Sequence, residues 1–153
     1  MIFIDIKFDS KIKKLFKDLN IKQKDVISFS NFILNEYKRT RKDHFFSLDV
    51  CGINSTCSGY YFTTKKDEDS EMELALKSGF RKIERRRKYL IQSFFHEFTH
   101  FKQDKLDNIS GNKLNYSEKD VNSRNSTYWD NPFEVEARKL EEKWYDAFEK
   151  IYY

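Results

Sequence analysis

No stretch of this 153-residue chain approaches the roughly 20 apolar residues of a membrane-spanning helix, so contact with a membrane is not expected. Met1-Ile2-Phe3-Ile4-Asp5 brings neither a basic segment nor a long apolar one, and no secretory leader is read there. Cysteine is scarce: Cys51 and Cys57 are the only two. Without an export signal or a C-x-x-C spacing, they read as reduced thiols at two strand ends, not as a disulfide or a cysteine metal site. Only one proline and four glycines occur, beside abundant lysine and asparagine, a bias that genomic base composition explains as readily as physics. Internal repeats are lacking, and nothing marks a second domain. The expectation is a single domain over 1–153, placed in the cytoplasm.

What is present is a large apolar reserve. Apolar residues make up 39% of the chain and aromatics 17%, with 15 Phe and 9 Tyr, which argues against disorder even at 35% charged residues. The length suffices to bury a core. A net charge of +4 and a pI near 8.9 are compatible with nucleic-acid or acidic partners without pointing to them.

Ile2, Ile4, Ile6 and Phe8 recur at a period of two, which predicts a strand. Asp9-Ser10 offers a cap to a short basic helix carrying Ile12, Leu15, Phe16 and Leu19. A second helix is predicted over about 24–38 from Val26, Ile27, Phe29, Ile33, Leu34 and Tyr37. Residues 45–50 and 60–64 are rich in strand formers. The acidic run 66–70 reads as a solvated turn and 72–76 as the return strand, although 72–76 also suits a helix stopped at Gly79. A long helix follows over about 81–105. Residues 108–131 read as a polar connection, and loops this long are usually functional. Phe133, Ala137, Leu140, Trp144, Ala147 and Ile151 then repeat at 4-3-4-3-4, an amphipathic helix to the C-terminus.

Within the long helix stands His96-Glu97-Phe98-Thr99-His100. This H-E-x-x-H pentapeptide would arise by chance in about one chain in 200 of this composition. Residues four apart lie on one helix face, so the two imidazoles can grip one divalent metal, with the glutamate in reach of a water on it. With His96 at 0° on a helical wheel, His100, Ser93 and Asp104 fall between about 40° and 80°. Leu90, Ile91, Phe94, Phe98 and Phe101 fall between about 120° and 220°. One side is therefore expected in the core and the other along a cleft. Just upstream, Arg81, Lys82, Arg85, Arg86, Arg87 and Lys88 form a basic cluster that reads as a solvated face or as a contact for nucleic-acid phosphates.

A catalytic zinc takes three protein ligands and leaves one position open. Leu106 stands where a third histidine of the longer H-E-x-x-H-x-x-G-x-x-H motif would be, and His44 is read as an ordinary residue near a strand. A carboxylate is left to serve. The segment Trp129-Asp130-Asn131-Pro132-Phe133-Glu134-Val135-Glu136-Ala137-Arg138 places E-x-x-A some 30 residues after the first motif. In this the chain resembles the gluzincin branch of zincin metallopeptidases, closest to the minimal zincin-like domains of small bacterial and phage proteins. The resemblance covers about residues 90–145, with a specific first motif and a loose second one.

The resemblance implies an α+β, zincin-like fold. A small twisted antiparallel or mixed sheet would pack on an active-site helix (about 81–105) and a C-terminal helix (about 132–152), with N-terminal helices. It implies a zinc-dependent peptidase with Zn2+ on His96, His100 and Glu134, and Ala137 small enough to let the helices close. The cytoplasm would be that of a bacterium or of a phage's or virus's host. Glu136 competes for the third place, and Glu134 also fits a capping position after Asn131 and Pro132. Where many gluzincins carry an aspartate to hold a histidine ring, this chain has Arg138, so Asp104, Asp130 or a backbone carbonyl is expected to replace it. Glu97 would be the general base. Tyr128, with Tyr116 and Arg138 as alternatives, would stabilise the oxyanion. The substrate, a protein or peptide, would lie along an exposed strand edge at 60–64 or 72–76. Small size points to a narrow protein target. The alternative is a non-catalytic module on the same scaffold, contacting nucleic acid through the basic cluster; a third possibility is a protein in which the motif holds no metal.

Overall fold

The structure, a computed structural model, describes residues 1–55, 59–63, 69–109 and 129–153. Strand β1 (Ile2–Phe8) alternates buried and exposed residues along its whole length, so its isoleucines face the core while Phe3, Asp5 and Lys7 face solvent. Asp9 caps helix α1 (Ser10–Asp18), its carboxylate accepting from the Ile12 amide at 2.8 Å. The helix unwinds through Asn20 in the left-handed region (φ 57°) as the Ile21 amide donates back to the Phe16 carbonyl. Helix α2 (Gln23–Tyr37) buries Val26, Phe29, Ile33 and Leu34.

Strand β2 (His44–Ile53) runs parallel to β1, and β4 (Asp69–Ala75) runs parallel to β2. Strand β3 (Gly59–Thr63) pairs antiparallel with β4, giving a mixed sheet in the order β1-β2-β4-β3. The chain is thus α+β, with 59–63 and 69–75 forming the antiparallel pair read from the sequence. Two expectations need correction. Asp69 and Ser70 belong to β4 and not to a turn, and the 72–76 segment is an inner strand with a partner on each side, so it offers no edge.

The two edges differ. Mid-helix asparagines are poor helix formers, yet Asn31 and Asn35 sit one turn apart on α2 and close the β1 edge. Asn35 accepts from the Ile2 amide at 2.7 Å and donates to its carbonyl at 2.8 Å. Asn31 does the same for Ile4, at 2.9 and 3.3 Å. Unpaired edge groups are thereby covered without another strand. Among the described residues, β3 has a strand on one side only.

Helix α3 (Ile83–Lys105) starts two residues later than expected, leaving Arg81 and Lys82 before it. Phe94, Phe98 and Phe101 stack along it at centroid separations of 5.5 Å, and Phe95 meets Phe29 and Phe148 edge-on. Burying each such ring contributes about 1.5–3 kcal/mol. Helix α4 (Pro132–Tyr152) begins on Asn131, whose side chain accepts from the Phe133 amide, with Pro132 at the first helical position. Its buried face is Glu134, Ala137, Trp144, Tyr145 and Phe148, while Ile151 is exposed. That face is turned by about 60° from the apolar repeat. Because α4 lies against α3, much of the histidine side of α3 is also buried; from Leu90 to Gln103 only Gln92 and His96, one turn apart, are half-buried. Among the described residues, α4 packs against the side expected to line a cleft.

Candidate metal centre

The turn of α4 brings Glu134 over the H-E-x-x-H pair. His96 Nε2 lies 3.0 Å from Glu134 Oε2, and His100 Nε2 lies 2.9 Å from Glu134 Oε1. The two rings stand 5.2 Å apart, nearly perpendicular. The side chains of His100 and Glu134 are 5% and 4% exposed and that of His96 is 14% exposed. Two imidazoles and one carboxylate with ligand atoms all within 4.8 Å of one another form the donor set that zinc takes in three-ligand sites. The separations in a tetrahedral site are about 3.4 Å, so the group fits a divalent metal with small adjustment.

The far ring nitrogens have partners of their own, as metal-ligating histidines usually do. His96 Nδ1 meets Glu141 Oε2 at 3.0 Å, and His100 Nδ1 meets Gln103 Oε1 at 2.8 Å. Neither residue was singled out in the sequence, though both carried a spacing signal. Glu141 lies two turns from Glu134 on one face of α4, and Gln103 lies one turn from His100 on α3. The acids expected in this role are elsewhere. Asp104 accepts from the Tyr61 hydroxyl at 2.6 Å, and Asp130 is exposed before α4.

Glu136 is not turned to the histidines. It accepts from Lys102 Nζ at 2.8 Å and from Gln103 Nε2 at 3.0 Å, which removes it as the competing ligand. Arg138, an oxyanion candidate, donates to the Trp129 carbonyl and lies over that ring at 4.6 Å. Tyr116 and Tyr128 lie outside the described residues, as does Cys57. Cys51 is free and half-buried in β2; burial and the neighbouring acids Asp9, Glu71, Asp49 and Glu73 push its thiol up, which lowers its thiolate fraction. His44 is exposed at the start of β2.

Glu97 is 5% exposed and sits beside Gly59 on β3, where a Cβ would come within 3.2 Å of Glu97 Cγ and 2.6 Å of the Glu73 carbonyl oxygen. Glycine is what lets the edge strand pass this close to the glutamate. Burial pushes Glu97 above the usual carboxylate range, outweighing the charges of His96 and His100. Burial alone would lower His96, but hydrogen bonds to Glu134 and Glu141 raise it to about 10. His100 is likewise raised, its bond to Glu134 and the Glu97 charge overcoming burial. Burial would raise Glu134, but its bonds to His100 and His96 hold it at about 2. Without metal, the site is an ion-paired cluster.

The basic cluster is divided. Arg87 lies 4.1 Å from the centre of the Tyr153 ring and Lys88 5.4 Å from that of Tyr145, so two of the six cations rest on aromatic faces, one in α4 and one just past its end. No described helix is long and apolar enough to cross a membrane. Compared with family models, with curated proteins and with solved structures, the chain finds no match in any of the three.

Proposed function

We propose that this protein is a zinc-dependent peptidase of the zincin type, acting on a protein or peptide. The observation that carries the reading is the convergence of both H-E-x-x-H Nε2 atoms on the two oxygens of Glu134, from a second helix. A zinc ion held there would polarise a peptide carbonyl and bring the pKa of a bound water toward about 7. His96, His100 and Glu134 would hold the ion, with Glu141 and Gln103 bonded to the far nitrogens of the histidine rings.

Glu97 takes the proton of the attacking water and returns it to the leaving amine. A buried carboxyl whose pKa stands above the ordinary range suits both halves of that cycle. The substrate lies along β3, the edge beside Glu97, because Asn31 and Asn35 already occupy the backbone groups of the β1 edge.

Replacement of Glu97 by Gln tests this. Zinc content should stay at about one per chain, while cleavage of a panel of unfolded protein substrates should fall at least about 100-fold. Cleavage that survives in the Gln variant removes Glu97 as the base.

A further inference from the structure

Gln103 is fully buried, and its amide has only one orientation that its neighbours accept. Nε2 lies 3.0 Å from the Phe133 carbonyl oxygen and 3.0 Å from Glu136 Oε1, two groups that only accept. Turned over, the amide would set its oxygen against both acceptor oxygens and lose both hydrogen bonds. Its oxygen therefore faces His100 Nδ1 at 2.8 Å. A carbonyl oxygen cannot donate, so Nδ1 has to carry the hydrogen, and the nitrogen left for a metal is Nε2.

Glu136 is fixed in turn. Lys102, 1% exposed, donates to Glu136 Oε1 at 2.8 Å and pairs with Asp107 Oδ2 at 3.1 Å. Its ammonium also lies 4.2 Å from the centre of the Tyr37 ring, whose hydroxyl donates to Asp107. Three elements thus converge on one cation. His96 has no such arrangement, and needs none: its partner Glu141 is a carboxylate, which accepts whichever way it turns. A neutral amide can be inverted and so has to be keyed.

We propose that Lys102, Glu136 and Gln103 form a relay that fixes His100 for coordination through Nε2, with Gln103 the positioning residue and Lys102 acting through it. The inference rests on the metal reading above. Its test uses the full chain without a histidine tag, titrated with zinc against a chromophoric chelator. Gln103→Leu should weaken zinc binding 10–100-fold while the circular dichroism spectrum is kept. Lys102→Met should weaken it less, and the double variant should bind no more weakly than Gln103→Leu alone, because the lysine has nothing left to act through. Unchanged affinity in Gln103→Leu, or two losses that multiply, overturns the relay. Nitrogen NMR of the zinc-loaded wild type decides the matter should both variants fail to fold. His100 is expected to bind through Nε2 with its hydrogen on Nδ1, and coordination through Nδ1 refutes the proposal. A wild type that takes up no zinc sinks the metal reading itself, and the relay with it.

Discussion

Protons hold the cluster together without metal, and a metal binding there would have to displace them. His96, raised to about 10 by Glu134 and Glu141 against the effect of burial, is protonated at pH 7. Its proton therefore competes with a metal for the ring and lowers apparent zinc affinity at pH 7. Affinity should rise about tenfold per pH unit for each proton displaced, over pH 6–8. Calorimetric titrations with zinc at pH 7, in buffers of different ionisation enthalpy, count those protons. At least one released per zinc is expected, approaching two because His100 is also raised. The same groups fix the stability of the metal-free fold. The His96 contribution is complete below its unfolded value of about 6.5 and lost as pH rises through about 10. The Glu134 contribution is present above its unfolded value of 4.5 and lost as pH falls toward about 2. Chelator-treated protein should lose Tm at both extremes, and zinc should remove the alkaline loss. Heats that do not depend on the buffer, with affinity flat from pH 6 to 8, refute the ion-paired cluster.

Glu141→Ala should weaken zinc binding 10–100-fold, about 1.4–2.7 kcal/mol, by releasing His96 Nδ1; the exposed neighbour change Glu142→Ala should leave it untouched, and equal affinities in the two variants contradict the assignment. Asn35→Ala should cost about 1–3 kcal/mol in urea unfolding, since the Ile2 amide and carbonyl both lose their partner. A midpoint equal to wild type would mean that water serves the β1 edge as well.

Much of the fold was legible because local signals agreed with the global arrangement. The period-two run of Ile2 to Phe8, the Asp9 cap and the Asn131-Pro132 start all formed where their residue types predict. The facing of α4 was not legible, since its apolar repeat centres on Phe133 and Leu140, whereas the inward arc includes Glu134, which is buried, and Glu141, which is half-buried. On a wheel Glu134 and Glu141 fall within about 20° of each other, on the side of Tyr145 and Phe148, with Glu136 far round. Counting only apolar residues hid an arc buried partly by charge, and a charged group counts as interior only once its partners on α3 are known. Gln103 and Lys102 escaped for the same reason: on sequence they are ordinary polar residues late in a helix, and their burial comes from α2 and α4 closing over them. The histidine pair itself needed no such knowledge, because one turn of helix suffices to align it.

The most direct test is the zinc content of tag-free protein after exhaustive washing, measured by elemental analysis beside Glu134→Ala. Wild type should retain about one zinc per chain and Glu134→Ala far less under the same wash. No zinc in the wild type, or equal zinc in both, would contradict a metal held by His96, His100 and Glu134.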